Sequence, residues 1–328
     1  DYLKCKPFYM VLVLGIIGSG IFSSGGVDSS SRRGASTPQA KFLNIYEEAH
    51  RNLDDAYWLK CNTYTSLNDH GTLDVDPSCI NVKGFGGVFL WGDSHAEALS
   101  LGLRTLLNPM KTPFYQKTSA GCNASLNETI RQKGIFKEAC DHSNKIALES
   151  ISKVRPKLVV IAQESGHNYT NWKAIGSKLT AIGVERILLI GPVPQWRPSL
   201  PKIMIKDKNW NNDSLFINDS GLDISIIETD SQMKNTLPSP EIEYFSLIDD
   251  LCQRNSGKYY CRAKLKSGGL LQVDYGHLSE EGSLFVADKI LSTKIISILT
   301  GDHNETTAHR PTDASKPTVE TNQRTLAN

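Results

Sequence analysis

Short runs of apolar residues, too brief for helices, recur along the chain between stretches with helical spacing. Val88–Trp91, Lys157–Ala162 and Arg186–Gly191 are rich in Val, Ile, Leu and aromatic side chains, the pattern of strands buried on both faces. Pro113–Gln116 and Glu243–Leu247 are further strand candidates. Ala96–Leu107, Trp172–Ile182 and Ser279–Leu299 repeat their apolar positions every three or four residues, which predicts helices. Phe42–Leu59 has the same spacing (Phe42, Ile45, Tyr46, Ala49, Leu53, Ala56, Tyr57) and predicts a helix packed on the body. Short buried strands alternating with helices imply an α/β fold, a parallel sheet covered on both faces to give three layers. Ser29–Lys41, rich in Ser, Arg, Gly and Pro, reads as a linker; Asn209–Asp230, rich in Asn and Asp, reads as a long loop.

Both ends depart from this pattern. No side chain from Pro7 to Val27 is charged, and Phe8–Phe22 is strongly apolar. A membrane span needs about 20 such residues, so a transmembrane helix is expected within residues 1–27. A signal-sequence core or a buried helix are the alternatives. Lys4 and Lys6 before the segment fit a cytoplasm-to-exterior direction, while Arg32 and Arg33 beyond it pull the other way. Residues 301–328 are rich in Thr, Ala, Asn and Pro without periodicity and read as a disordered tail. Residues 28–60 are then a linker with its packing helix, and 61–300 the globular domain.

Composition narrows the partners. Among 328 residues, 36 Lys and Arg balance 35 Asp and Glu, which argues against a nucleic-acid binder. The seven cysteines bear on the compartment. Cys5 lies beside the apolar segment and is expected to be unpaired; the other six fall into close neighbours, Cys61 with Cys79, Cys122 with Cys140 and Cys252 with Cys261. Six cysteines allow many connectivities, and short loops with no zinc-like spacing favour these sequential bridges over reduced core thiols. Disulfides persist in oxidising compartments, so the periplasm or the cell exterior is expected.

Chemistry concentrates in two segments. Leu90-Trp-Gly-Asp-Ser-His-Ala96 joins a predicted strand to a predicted helix, so Ser94 stands where open α/β sheets place their ligands. Asp274-Tyr-Gly-His277 precedes the final helix. A carboxylate three residues before a histidine accepts from one imidazole nitrogen and leaves the other to take a proton from Ser94. Each motif alone reads equally well as a turn or a cap; together, at opposite ends of an α/β body, they predict a Ser94–His277–Asp274 triad.

Gly92-Asp93-Ser94 resembles the first block of the SGNH (GDS-type) esterase and acyltransferase superfamily, and Asp274-x-x-His277 resembles its last. Ala96, where the α/β-hydrolase elbow G-x-S-x-G has glycine, and the close Asp–His spacing both favour this resemblance. It implies that the N–H groups of Ser94 and Gly121 form an oxyanion hole, Gly121 in Thr118-Ser-Ala-Gly-Cys122 matching the second block. The third block, Gly-x-Asn-Asp, is replaced by Ile161-Ala-Gln-Glu-Ser165, which leaves Gln163 as the candidate third donor. That departure, with Leu90–His95 and Gly191-Pro-Val-Pro-Gln-Trp196, resembles the SGNH domains fused behind a membrane acyltransferase-3 domain, as in bacterial O-antigen O-acetyltransferases. The resemblance implies a membrane acyltransferase domain in the same chain, whose last span is the apolar segment. It implies further that this domain draws on a cytoplasmic acyl donor such as acetyl-CoA, and that the SGNH domain acts in the periplasm. Ser94 would pass an acetyl group to a sugar hydroxyl of a surface polysaccharide such as lipopolysaccharide O-antigen.

The neighbouring residues carry smaller expectations. Asp93 suits a helix cap. His95 is a candidate substrate contact, and Trp91 and Trp196 are candidate sugar platforms set against ordinary core packing. His167 and Glu164 are candidates by proximity to the third strand. The sequence displays no metal-ligand spacing and no phosphate-binding Gly-rich loop, so neither a metal nor a cofactor is expected on this part. A secreted carbohydrate esterase with the same triad and an inactive glycan-binding module are the competing functions.

Overall fold

The computed structural model describes residues 37–80, 86–236 and 240–301, together with Val11, Leu14–Ile16, Gly18 and Ser19. Its centre is a parallel sheet of β1 (Val88–Gly92), β2 (Phe114–Thr118), β3 (Leu158–Ala162), β4 (Arg186–Ile190) and β6 (Ile242–Phe245), in the order β2-β1-β3-β4-β6. Successive strand residues point to opposite faces, so one short apolar run feeds two cores. Val88, Leu90, Leu158, Val160 and Leu188 pack with Leu99, Leu103 and the C-terminal helical segment (Val286, Leu291, Ile295). Phe89, Trp91, Val159, Ile161 and Leu189 pack with Ala147, Ile151 and Leu179 on the other face. The expected three layers are therefore present. A third cluster joins Trp196, Leu200, Ile203 and Ile226 to a small antiparallel sheet of β5 (Phe216–Asn218), β8 (Lys258–Arg262) and β7 (Cys252–Asn255).

Several elements differ from the sequence expectation, each for a local reason. Helix α1 (Pro38–Arg51) begins inside the expected linker, because Thr37 caps it and Pro38 suits its first turn. It stops at Asn52, and only the short turn Asp54–Tyr57 follows, so Phe42–Leu59 is not one helix. Ala96–Leu107 is likewise divided, into α2 (Ser94–Glu97) and α3 (Ser100–Leu107). Helix α4 (Gly134–Val154) has no counterpart in the sequence reading; its buried face has Ile151 and Val154 only at the C-terminal end, and before them Ala139, Cys140, Ser143, Asn144, Ala147 and Ser150, small or polar residues that leave a faint stripe. The polar stretch 209–230 is not all loop: it holds β5 and the start of α5 (Ile224–Thr236). There Asp230 is buried, accepting hydrogen bonds from Tyr244 (2.7 Å) and Ser246 (2.9 Å). The C-terminal helix runs through a π-helical turn, Val286–Leu291, before Ser292–Thr300.

The three sequential disulfides are formed, Cys61–Cys79, Cys122–Cys140 and Cys252–Cys261. Each closes a short loop, worth about 2.5–3.5 kcal/mol through the unfolded state. Among the described residues no helix is long and apolar enough to cross a membrane. The expected span within 1–27 falls mostly outside the described residues, as do Cys5, most of the linker and the tail after Gly301.

Gly92 ends β1 beside Ala162 of β3 with a φ of +149°, and a Cβ there would stand 1.9 Å from the Ala162 carbonyl oxygen. Gly92→Ala is expected to destabilise the fold by about 2–4 kcal/mol, from backbone strain plus overpacking, read as a lowered urea midpoint.

Candidate active site

The glycine that lets β1 meet β3 also turns the chain into Asp93 and Ser94. The His95 N–H donates to Asp93 Oδ1 (2.8 Å), capping α2, and the Glu164 N–H donates to Asp93 Oδ2 (2.7 Å). Asp93 therefore ties the nucleophile turn to the loop after β3. Burial raises its pKa to about 7 despite these donors and the nearby His277. Ser94 opens α2, where its own N–H has no intrahelical acceptor.

The opposing loop is shaped by one carboxylate. Asp274 Oδ1 accepts from the N–H groups of Gly276 (2.9 Å) and His277 (2.8 Å), while Oδ2 lies 2.7 Å from His277 Nδ1. The turn is held from outside by Trp196 N–H to the Tyr275 carbonyl (2.8 Å), Leu200 N–H to the Asp274 carbonyl (3.0 Å) and the Tyr57 hydroxyl to the Leu278 carbonyl (2.6 Å). His277 Nε2 then reaches Ser94 Oγ at 2.8 Å, across 183 positions of sequence. Burial alone would raise the Asp274 pKa, but hydrogen bonds and charge from His277 bring it to about 2. The carboxylate is thus ionised and takes the Nδ1–H, which leaves the Nε2 lone pair for the serine proton. Burial pulls the His277 pKa down, yet the Asp274 hydrogen bond and charge, aided by Asp93 and Glu164, outweigh it and leave a net rise.

The remaining candidates are placed unevenly. Ser119 N–H donates to the Gly92 carbonyl (3.2 Å) and Cys122 N–H to the Ser119 carbonyl (3.0 Å), so the turn carrying Gly121 abuts the nucleophile turn. Gly121 has a φ of +66°, which glycine adopts without strain. Gln163 is corrected as a third oxyanion donor: its side-chain amide donates to the Ser165 carbonyl (2.9 Å) and Thr170 Oγ1 (3.3 Å), bracing its own loop. Trp91 and Trp196 are also corrected as sugar platforms. Both rings are buried, with indole N–H groups donating to Asn144 (2.9 Å) and Gln272 (2.8 Å). His95 is buried behind the triad, 4.6 Å from His277 between ring centres, and burial holds its pKa well below the usual histidine value. That placement makes it a backing for the base, not a substrate contact. His167 is buried too, its pKa lowered to about 4 by desolvation. Glu164 accepts from the Tyr275 hydroxyl at 2.9 Å, linking the loop after β3 to the Asp274–His277 turn.

Two titratable residues near the site escape the sequence reading. Glu97, one turn beyond Ser94, is buried, and desolvation lifts its pKa to about 8. His50, on α1, places Nε2 3.7 Å from Asp274 Oδ2. Glu97 directly follows the Leu90–Ala96 motif but has no partner of its own there, and nothing in the sequence signals His50, whose neighbour Asp274 is distant in the chain.

Residues 61–292 match the model of the SGNH domain (fused to AT3 domains). The chain belongs to that family. Its structure is similar to that of the periplasmic domain of the Salmonella ser. Paratyphi A lipopolysaccharide acetyltransferase, with a TM-score of 0.57 and 23% identity over 82% of this chain and 100% of that one. No curated protein matches the sequence.

A base whose pKa is raised must lose its proton before it can activate Ser94. Labelling of Ser94 by a fluorophosphonate should therefore increase with pH through a midpoint above the ordinary histidine value of 6.5. Asp274→Asn should lower that midpoint and slow labelling by roughly 10³–10⁴-fold.

Proposed function

We propose that the chain is an O-acyltransferase that carries an acyl group, acetyl in the first instance, on Ser94 and delivers it to a sugar hydroxyl of a surface polysaccharide. The observation that carries this reading is the Ser94–His277–Asp274 relay, at 2.8 and 2.7 Å, in a chain of the family of SGNH domains fused to AT3 domains. In the first half-reaction His277 Nε2 takes the Ser94 proton as Oγ attacks the acyl carbonyl, then returns it to the leaving group. In the second, the same nitrogen takes the proton of the acceptor hydroxyl, whose oxygen attacks the serine ester; collapse regenerates Ser94, to which the proton returns. Asp274 orients the imidazole and balances its charge. The N–H groups of Ser94 and Gly121 receive the oxyanion, and one such donor is worth about 2.7–4 kcal/mol.

The acyl donor reaches Ser94 from a membrane acyltransferase domain in the same chain, supplied by a cytoplasmic thioester such as acetyl-CoA. The SGNH domain works on the periplasmic side of a bacterial inner membrane. The disulfides support that compartment, as does the periplasmic origin of the similar structure.

The purified chain, given an activated acetyl ester and O-antigen polysaccharide, should yield acetylated polysaccharide in excess of free acetate. Ser94→Ala should abolish both products and all fluorophosphonate labelling. Release of acetate alone, unaffected by polysaccharide, would assign the chain to the esterases. Absence of labelling with an intact fold would leave a glycan-binding module.

A further inference from the structure

We propose that His50, Asp274 and His277 form an inhibitory binding site for a borderline divalent cation, zinc above all, on the solvent side of the catalytic turn. The three side chains each offer a donor atom, and these atoms lie within 4.8 Å of one another. His50 Nε2 stands 3.7 Å from Asp274 Oδ2, and its side chain is 52% exposed, so a cation has a path in and room to keep a water ligand. Zinc with bonds of about 2.0–2.2 Å in a tetrahedron sets its ligand atoms roughly 3.3 Å apart. A small rotation of an exposed imidazole closes that difference.

His50 is held at this place. One helical turn earlier on α1, the Tyr46 hydroxyl accepts from the Leu270 N–H at 3.0 Å, at the start of the segment that carries Asp274 and His277. A further turn back, Phe42 packs on Trp210 with ring centres 6.0 Å apart. The same face of α1 thus clamps the catalytic segment and presents His50 to it. Two imidazoles and a carboxylate are a donor set that zinc uses where it keeps an open coordination position. His50 also precedes residues 61–292, so this site is assembled partly from the connecting segment.

The consequence for the triad follows from proton bookkeeping. Neutral His277 carries a single ring proton, on Nδ1, shared with Asp274. A cation that takes the Nδ1 lone pair sends that proton to Nε2, with no net release from this ligand, and the 2.7 Å gap between Nδ1 and Oδ2 widens to admit the metal. Nε2 then donates toward Ser94 instead of accepting from it. The general base is lost although none of the three triad residues is altered.

The test uses zinc chloride, with magnesium chloride as the control, on the purified 328-residue chain after EDTA treatment. Calorimetry should show saturable zinc binding at one site per chain, and saturating zinc should slow fluorophosphonate labelling of Ser94 by about tenfold or more, reversibly with EDTA. Magnesium should do neither, because it prefers oxygen ligands. His50→Ala removes a direct ligand, so it should weaken zinc binding by more than the roughly 10–100-fold typical of an outer-shell partner and abolish inhibition at the zinc concentration that saturates the wild type, while zinc-free labelling stays within about twofold and the melting curve is unchanged. Absence of saturable zinc binding overturns the proposal, and so does undiminished binding and inhibition in His50→Ala. A chain that fails to label without zinc counts against the acyl-enzyme reading alone, since calorimetry on wild type and His50→Ala still decides the metal site.

Discussion

The arrangement turns on the Asp274 carboxylate. One oxygen gathers the backbone N–H groups of Gly276 and His277, and the other takes the imidazole Nδ1. These are local contacts, at most three residues apart, so the base and its orienting acid form one rigid turn at little entropic cost. The long-range task reduces to docking that turn against a single serine. The Trp196, Leu200 and Tyr57 hydrogen bonds dock it from one side. Gly92, Asp93 and the loop after β3 hold Ser94 from the other. Each half is stiff by itself, which is why a 2.8 Å contact can be maintained across the sheet rim without a covalent tie.

This division explains what the sequence discloses. β1, β3 and β4 are legible because these strands, covered on both faces, are apolar at nearly every position. Ser94, Asp274 and His277 are legible because a nucleophile turn and an Asp-x-x-His turn are compact motifs. The elements that escape notice are those whose burial is achieved partly with other chemistry. Helix α4 buries Ser143, Asn144 and Ser150, and Asn144 accepts from the Trp91 indole. Helix α5 buries Asp230 against Tyr244 and Ser246. A pattern argument built on hydrophobicity is blind to such pairs, since the partner that satisfies each polar group lies elsewhere in the chain.

The same reasoning accounts for the misplaced site residues. Trp91 and Trp196 flank motifs that carry chemistry, yet a strand buried on both faces leaves Trp91 no exposed ring, and Gln272 holds Trp196 in the core. Gln163 follows β3 where a donor was expected, but its own loop has carbonyl and hydroxyl acceptors nearer to hand. His50 is the converse case. Nothing near it in sequence marks it, and only the packing of α1 on the segment after Leu270 brings it to Asp274.

The commitment of the Gln163 amide bears on what the proposed acyl-enzyme can do. Deacylation by water and by a sugar hydroxyl pass through the same tetrahedral oxyanion, so one donor fewer raises both barriers by a similar amount. The hole therefore cannot choose between hydrolysis and transfer. In the proposed reading the choice would rest on holding the acceptor hydroxyl within reach of His277 Nε2, where an effective molarity on the order of 10⁵ M outweighs bulk water. In the proposed acyl-enzyme, a hole with one donor fewer would also slow hydrolysis while no acceptor is bound, and so would lengthen the life of the serine ester. In the proposed function, where the acyl group arrives from one domain and leaves to a separate acceptor, a weaker catalyst of hydrolysis would be the better carrier.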